Sequence, residues 1–395
     1  MISVSSEITT SKVEELLSEV AQSSAKQYVD LKLPVNLKPI GFGAFASLIQ
    51  LIITWRRLEN CGKLIVGSKE VSDDEIEDIS RNFYGLIASV ISWGQGVTNF
   101  NGVDIKHTIR KYNAATMAPL LQSRFDEASR GDSILFPFFD HLDVKSGLLP
   151  IVYNKGELRP QEEFENLSDV LIDITTKNNK SIKEEFQNLE QELTGILYES
   201  FDNTNKWARH SFTGKILNPS VRGIYSRFYK LENKNIPAYT NSNGLAKYFS
   251  EISLRNSSKY RFITFLEVSI FDSGSGLAQR YSGKGLSEMS LEQEYKFLID
   301  CLMKHKTSHK ELGVVKGRGI GLHTIMELLD KKKGYLRIRS GRMSLYRDFL
   351  KFPFYISPKD PPNYALLDID SDSSKPVLRA KTEGTLITII IPQIK

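Results

Sequence analysis

Apolar positions in this chain alternate between helical and strand spacing, and the switches mark its elements. Residues 11–24 follow helical spacing. Residues 28–33 alternate, with Val29, Leu31 and Leu33 on one side, which predicts a strand. After a turn region at 34–43, the run 44–58 is apolar nearly all round and predicts a buried helix, followed by a short strand at 63–66. Residues 71–93 open on Ser72-Asp73-Asp74-Glu75, a helix-start signal, and continue through Ile76, Ile79, Phe83, Leu86 and Ile87. A further amphipathic stretch covers 105–127. The two short apolar runs within 134–153, around Pro137, Gly147 and Pro150, predict strands or a connection.

The polar, acidic stretch 159–166 marks a hinge. It divides the chain into an N-terminal module, 1–160, and a second domain, 167–395. In the second domain, 167–175 is a strand candidate. A long helix is expected over 181–209, with Phe186, Leu189, Leu193, Leu197 and Phe201 at steps of three or four. Residues 260–271 form a strongly apolar strand, 321–329 a helix, 334–339 a strand and 384–392 a last strand rich in Ile and Thr. The Pro-, Asp- and Ser-rich 357–374 reads as a mobile loop. The expected fold class is α/β.

Composition narrows the setting. The 395 residues, 41% hydrophobic and 25% charged, are ordinary for a globular protein of two domains. A net charge of +5, from 52 basic and 47 acidic residues, is too small and too evenly spread to indicate nucleic acid. Cys61 and Cys301 fit neither a metal spacing nor a disulfide framework. The N-terminus shows no signal-peptide pattern, and the longest apolar run, 44–55, is too short to span a bilayer. A cytoplasmic location away from membranes is expected.

Candidate chemistry lies in the second domain. The strand 265–271 delivers Asp272 to its end, followed by Ser273-Gly274-Ser275-Gly276. A carboxylate there can accept a hydrogen bond from the exocyclic amine of adenine, and Gly274 and Gly276 leave room for a base or sugar. Taken alone, this is equally an ordinary Asp-Ser-Gly turn. A second cluster, Lys316-Gly317-Arg318-Gly319-Ile320-Gly321-Leu322, opens a helix. Its backbone N–H groups can converge on phosphate oxygens, with Lys316 and Arg318 adding charge; a flexible strand-to-helix loop is the plainer alternative. It is neither a dinucleotide fingerprint, which needs a glycine where Leu322 stands, nor a P-loop. Upstream, Glu199, Asn203 and Lys206 share a helix face. Asn203 can bind magnesium through its carbonyl, Glu199 can orient or deprotonate water, and Lys206 can neutralise phosphate; a solvated polar face would look the same.

Glu-x-x-x-Asn, Asp-x-Gly-x-Gly, Gly-x-Gly-x-Gly-Leu and, before the last strand, Glu383-Gly384-Thr385 occur in that order. This set resembles the Bergerat-fold superfamily of DNA gyrase, MutL mismatch-repair proteins, ninety-kilodalton heat-shock chaperones and sensor histidine kinases. The resemblance covers about 170–395. It implies an α/β sandwich, a mixed sheet with helices on one face, that binds ATP with Mg2+. Asp272 would bind the adenine amine and Asn203 would hold magnesium. Gly317, Gly319 and Gly321 would border the phosphates, residues 277–315 would form a lid, and Thr385 would sit near the base. The long intervals at 211–259 and 340–382 depart from the usual spacing and leave the subfamily open.

Members that hydrolyse ATP carry Glu where Glu199 stands, though some kinase subfamilies do too. Hydrolysis that switches partner contacts of the N-terminal module is the first expectation. A protein kinase, of histidine-kinase or anti-sigma-factor type, is the second, and a non-catalytic ATP-gated adaptor the third. His107 is the one upstream phosphoacceptor candidate, and it lacks the usual acidic neighbour, since Thr108 takes that place. His305 and His309, four apart, lack a third metal ligand. Residues 28–66 faintly resemble the STAS domains that partner anti-sigma-factor kinases. A protein partner for the N-terminal module is therefore expected, and a homodimer is left open.

Overall fold

The computed structural model describes residues 1–23, 28–68, 72–239, 243–256, 261–303, 321–357 and 359–393. The protein is mixed α/β, with a parallel sheet and a larger antiparallel sheet. Strands β1 (Ile2–Ser3), β2 (Val29–Leu33), β3 (Cys61–Val66) and β4 (Val97–Thr98) lie side by side in that order, all parallel. Helices α1 (Thr10–Gln22), α2 (Ala44–Arg56), α3 (Asp73–Arg81) and α4 (Phe83–Ile91) connect them, and α5 (Lys106–Leu121) follows. The single helix expected over 71–93 breaks at Asn82, whose ψ of 128° is extended. The break brings Gly85 against the Ile79 carbonyl, where a Cβ would lie only 2.0 Å away.

Strands β5 (Ser133–Phe138), β6 (Arg222–Glu232), β7 (Phe262–Asp272), β8 (Tyr335–Gly341), β9 (Met343–Asp348), β10 (Leu367–Asp368) and β11 (Thr382–Gln393) form the second sheet. Its order is β10-β9-β8-β11-β7-β6-β5. Every pair is antiparallel, so the mixed sheet expected for this half is corrected. The edge strand β5 comes from within 1–160, so the sheet draws on sequence before the expected hinge.

Helices α6 (Glu165–Thr176), α7 (Glu190–Trp207), α8 (Asn243–Asn256), α9 (Leu277–Ser282), α10 (Leu291–Leu302) and α11 (Gly321–Lys332) belong to this half. The segment expected as a strand at 167–175 is helix α6. Its buried Leu167, Leu171, Ile174 and Thr175 fall at steps of three and four, and this burial outweighs the β-branched content. The long helix expected over 181–209 is divided into Lys180–Gln187 and α7.

Helices cover both faces of the antiparallel sheet, not one. On the first face Phe201 of α7 packs on Phe138 at 4.6 Å between ring centroids, and Phe186 meets Phe228 edge-on at 6.2 Å. On the second face Phe42, just before α2, lies 4.1 Å from Tyr229, 4.9 Å from Phe249 of α8 and 5.5 Å from Phe265. Phe45 of α2 stacks on Tyr225 at 4.3 Å.

This placement explains why α2 is apolar all round: every residue from Ala44 to Trp55 is buried between the two sheets. Trp55 donates its indole N–H to the Val29 carbonyl at 2.6 Å, tying α2 to the parallel sheet. The few polar side chains face the antiparallel sheet. Ser47 accepts from Arg337 at 2.8 Å, Gln50 donates to the Arg339 carbonyl at 3.0 Å, and Thr54 accepts from the Glu383 N–H at 3.1 Å. At the start of α2 the Gly43 N–H donates to the fully buried Glu267. Burial pushes the Glu267 carboxyl up, while that bond and the Tyr229 hydroxyl, at 2.9 Å, favour its ionised form.

Glu14 on α1 closes the contact, reaching Arg339 at 2.9 Å and Arg337 at 3.4 Å. Burial pushes its carboxyl up, but Arg339 and Arg337 outweigh burial and hold it below the usual range. The stabilisation this gives is complete above the ordinary glutamate range and is lost on acidification through the lower folded value. Replacing Glu14 by alanine takes the carboxylate from two buried guanidiniums and leaves them neutral acceptors, so Glu14→Ala is expected to lose on the order of 3 kcal/mol of stability in urea unfolding at pH 7. A loss below about 1 kcal/mol would mean that water already screens the cluster.

Candidate functional site

The acid sits where the central strand β7 ends. Apolar Leu266, Val268 and Ile270 fill the face beneath α6, α7 and α11, and the alternation puts the Asp272 side chain on that same face. Three backbone segments then meet around it. Its carboxylate accepts the Gly274 N–H at 2.7 Å, and the Gly384 N–H donates to the Gly274 carbonyl at 2.6 Å. Gly384 has φ +72°, and a Cβ there would lie 1.8 Å from the Asp272 carbonyl oxygen, so only glycine fits. A Cβ on Gly274 would lie 3.0 Å from Cα of Ala208, which immediately follows α7. Gly276, the other glycine of the first box, turns the chain at φ +88° into α9. The first glycine box, the Glu383-Gly384-Thr385 segment and the end of α7 are therefore in van der Waals contact.

Burial pushes the Asp272 carboxyl up to about 6, against the pull of the Gly274 and Thr385 N–H groups and of Arg222. Thr385 is buried, with its hydroxyl 3.4 Å from that of Ser340, which in turn accepts the Leu277 N–H at 2.9 Å. Arg222 pairs with Asp272 in the strand register, but its guanidinium is committed to Asp140, at 2.5 and 2.9 Å, and to the Tyr153 hydroxyl, at 2.6 Å. It braces the strand end.

Helix α7 carries Glu199, Asn203 and Lys206 toward the same end. Asn203 is exposed and Glu199 is half-buried. Burial first, then the charge of Asp202, raises the Glu199 carboxyl above its ordinary range, with Lys206 opposing. Lys206 is ion-paired with Asp202, which lies off the Glu-x-x-x-Asn frame and so carries no signal in that motif. Of the second glycine cluster, Lys316, Gly317, Arg318 and Gly319 lie outside the described residues. Gly321 starts α11, and Leu322 is buried.

The phosphoacceptor candidate lies on a different helix. His107 is exposed on α5, edge-on to Trp93 at 6.5 Å, in a helix packed on α3 and α4 and not in a two-helix stalk. His323 contacts the Tyr364 hydroxyl at 2.7 Å, and His305 and His309 lie outside the described residues. A cavity of about 600 Å³ opens beside the Gly384 segment, between Tyr28, Thr54, Arg57, Glu59, Lys381 and Glu383.

The link from this site to the N-terminal half is not apparent in the sequence. Gln50 of α2 donates to the Thr382 hydroxyl and the Glu383 carbonyl, Thr54 accepts the Glu383 N–H, and Arg57, which caps α2, donates to the Ser273 carbonyl at 3.4 Å. One helix thus touches the segments on both sides of Asp272. The only sequence signal was three polar residues recurring at steps of three and four within an apolar helix. In comparisons with known proteins the chain matches no family model, no curated protein and no solved structure.

A carboxyl resonance titrating near pH 6 in carbon NMR, absent from Asp272→Asn, is the expected signature of this burial. A value near 4 would mean that the strand end is open to water. In Gly384→Ala the clash forces the clasp apart, with an expected stability loss of about 2 kcal/mol or more in thermal unfolding. An unchanged midpoint would show the segment to be free to move.

Proposed function

We propose that this chain is a Bergerat-type ATP-binding protein whose C-terminal half binds Mg-ATP and whose N-terminal half responds to it. The observation that carries the reading is the clasp at Asp272. Two loops from distant parts of the chain are locked by Gly274 and Gly384 around one desolvated carboxyl, next to the helix that bears Glu199 and Asn203. An ordinary Asp-Ser-Gly turn has no need of a second loop packed over its acid, nor of the raised proton affinity that results. As carboxylate, Asp272 would accept the adenine amine, with Thr385 close by.

The residues present also fit the metal. Among the described residues no three His, Cys, Asp or Glu side chains converge as ligands, and Asn203 offers an exposed amide. Magnesium fits such a site, because it keeps several waters and takes its other ligands from phosphates. When bound, it would neutralise phosphate charge. Glu199, with its proton affinity raised by burial and by Asp202, suits the role of water-activating base, so hydrolysis is the leading activity. The surroundings of His107 favour no phosphoacceptor role. Through Gln50, Thr54 and Arg57, any shift of the loops around Asp272 would be felt by α2 and so by the N-terminal module, which supports a switch in partner contacts. Among the described residues no helix is long and apolar enough to cross a membrane.

Incubation with radiolabelled ATP and magnesium tests the reading. Free phosphate is expected, with a loss of about 100-fold or more in Glu199→Ala and retained ATP binding. Label on the protein would favour a kinase, and neither product an ATP-gated adaptor. ATP affinity is also expected to fall below about pH 6, as Asp272 takes up a proton and ceases to accept from the amine. A flat profile from pH 5 to 8 would remove Asp272 from base recognition.

A further inference from the structure

One helical turn beyond Gly276, Arg280 on α9 lays its guanidinium over the indole of Trp207, 3.7 Å from the ring centroid. Trp207 ends α7, four residues after Asn203 and eight after Glu199, so the three lie along one helical face. The Trp207 carbonyl oxygen lies 3.3 Å from where a Cβ on Gly274 would stand. Arg280 is therefore held where the first glycine box meets the acid–amide helix. Its Nε is buried and has no hydrogen-bond partner among the described residues. Burial alone lowers its basicity.

A guanidinium that is stacked, partly desolvated and short of an acceptor is prepared for an anion. Phosphoryl oxygens match its planar fork, and the aromatic platform fixes its direction. Resting on the nucleotide reading above, we propose that Arg280 is a ligand of the terminal phosphates of a nucleoside triphosphate, with Trp207 as the platform that holds it ready. The pair would make the site distinguish a triphosphate from a monophosphate, a task that Asp272, at the base, cannot perform.

The test measures binding of ATP and AMP by calorimetry, with tryptophan emission recorded in parallel, for the parent protein, Arg280→Gln, Arg280→Lys and Trp207→Phe. Arg280→Gln is expected to weaken ATP on the order of tenfold or more while AMP stays within about twofold. Arg280→Lys restores only part of the loss, because an ammonium lacks the fork. ATP, but not AMP, changes the emission, and Trp207→Phe abolishes that change although Trp55 and Trp93 remain. Retained AMP binding shows that the variants are folded. Equal losses for both nucleotides, or no loss for ATP, would overturn the role of Arg280 while leaving the nucleotide site in place. A parent protein that binds neither nucleotide would overturn the nucleotide reading itself.

Discussion

Helix α2 is enclosed on two sides, and this enclosure constrains the rest of the molecule. A helix between two sheets has no face left for water, so each polar side chain on it must find a partner in the protein. Ser47, Gln50 and Thr54 find theirs on the antiparallel sheet, and Trp55 finds its own on the parallel one. The sheet answers with charge. Arg337 and Arg339 are buried in β8 because Glu14 of α1 meets them there, and Glu267 is buried in β7 because the start of α2 supplies an N–H. Two layers that could have met through apolar contacts alone are instead fixed in register by directional bonds.

The state of Asp272 follows from this register. The strand end is partly desolvated because Gly384 and Gly274 close over it, and the Gly384 segment is held in place from behind by α2. A partly desolvated carboxyl is a cost to folding at neutral pH, since its ionised form must be retained without full hydration. The scaffold accepts that cost at a strand end where two glycine-containing loops and a polar helix face come together. Such local expense is typical of positions kept for binding.

Much of this could be read from the sequence where spacing and burial agree. Strand β7, helix α7 and the closing strand β11 follow their apolar periodicity, and the residues Asp272, Gly274, Gly384 and Thr385 do come together. Strand β6 escaped notice for a physical reason. It is buried on both faces, and one face is built from Tyr225, Arg227 and Tyr229, so polar and apolar residues do not alternate as they do in a half-exposed strand. Helix α6 was mistaken for a strand because Val170, Ile172 and Ile174 favour extended backbone, while the buried set that decides its form is visible only once a neighbour is known. Ser168, for example, bonds Thr194 of α7 at 2.8 Å. The pairing of Arg280 with Trp207 joins residues far apart in the chain, and no local pattern announces it.

The double burial of α2 also bears on how such a chain can diversify. Many domains are shuffled as cassettes, attached to new modules by a linker. Here the antiparallel sheet would lose the cover that α2 gives to one face, and Arg337, Arg339 and Glu267 would lose the partners supplied by Glu14, Ser47 and Gly43, if the first hundred residues were exchanged. Any lineage that changes the N-terminal half must therefore change Arg337, Arg339 and Glu267 with it, so the two halves are bound to drift together.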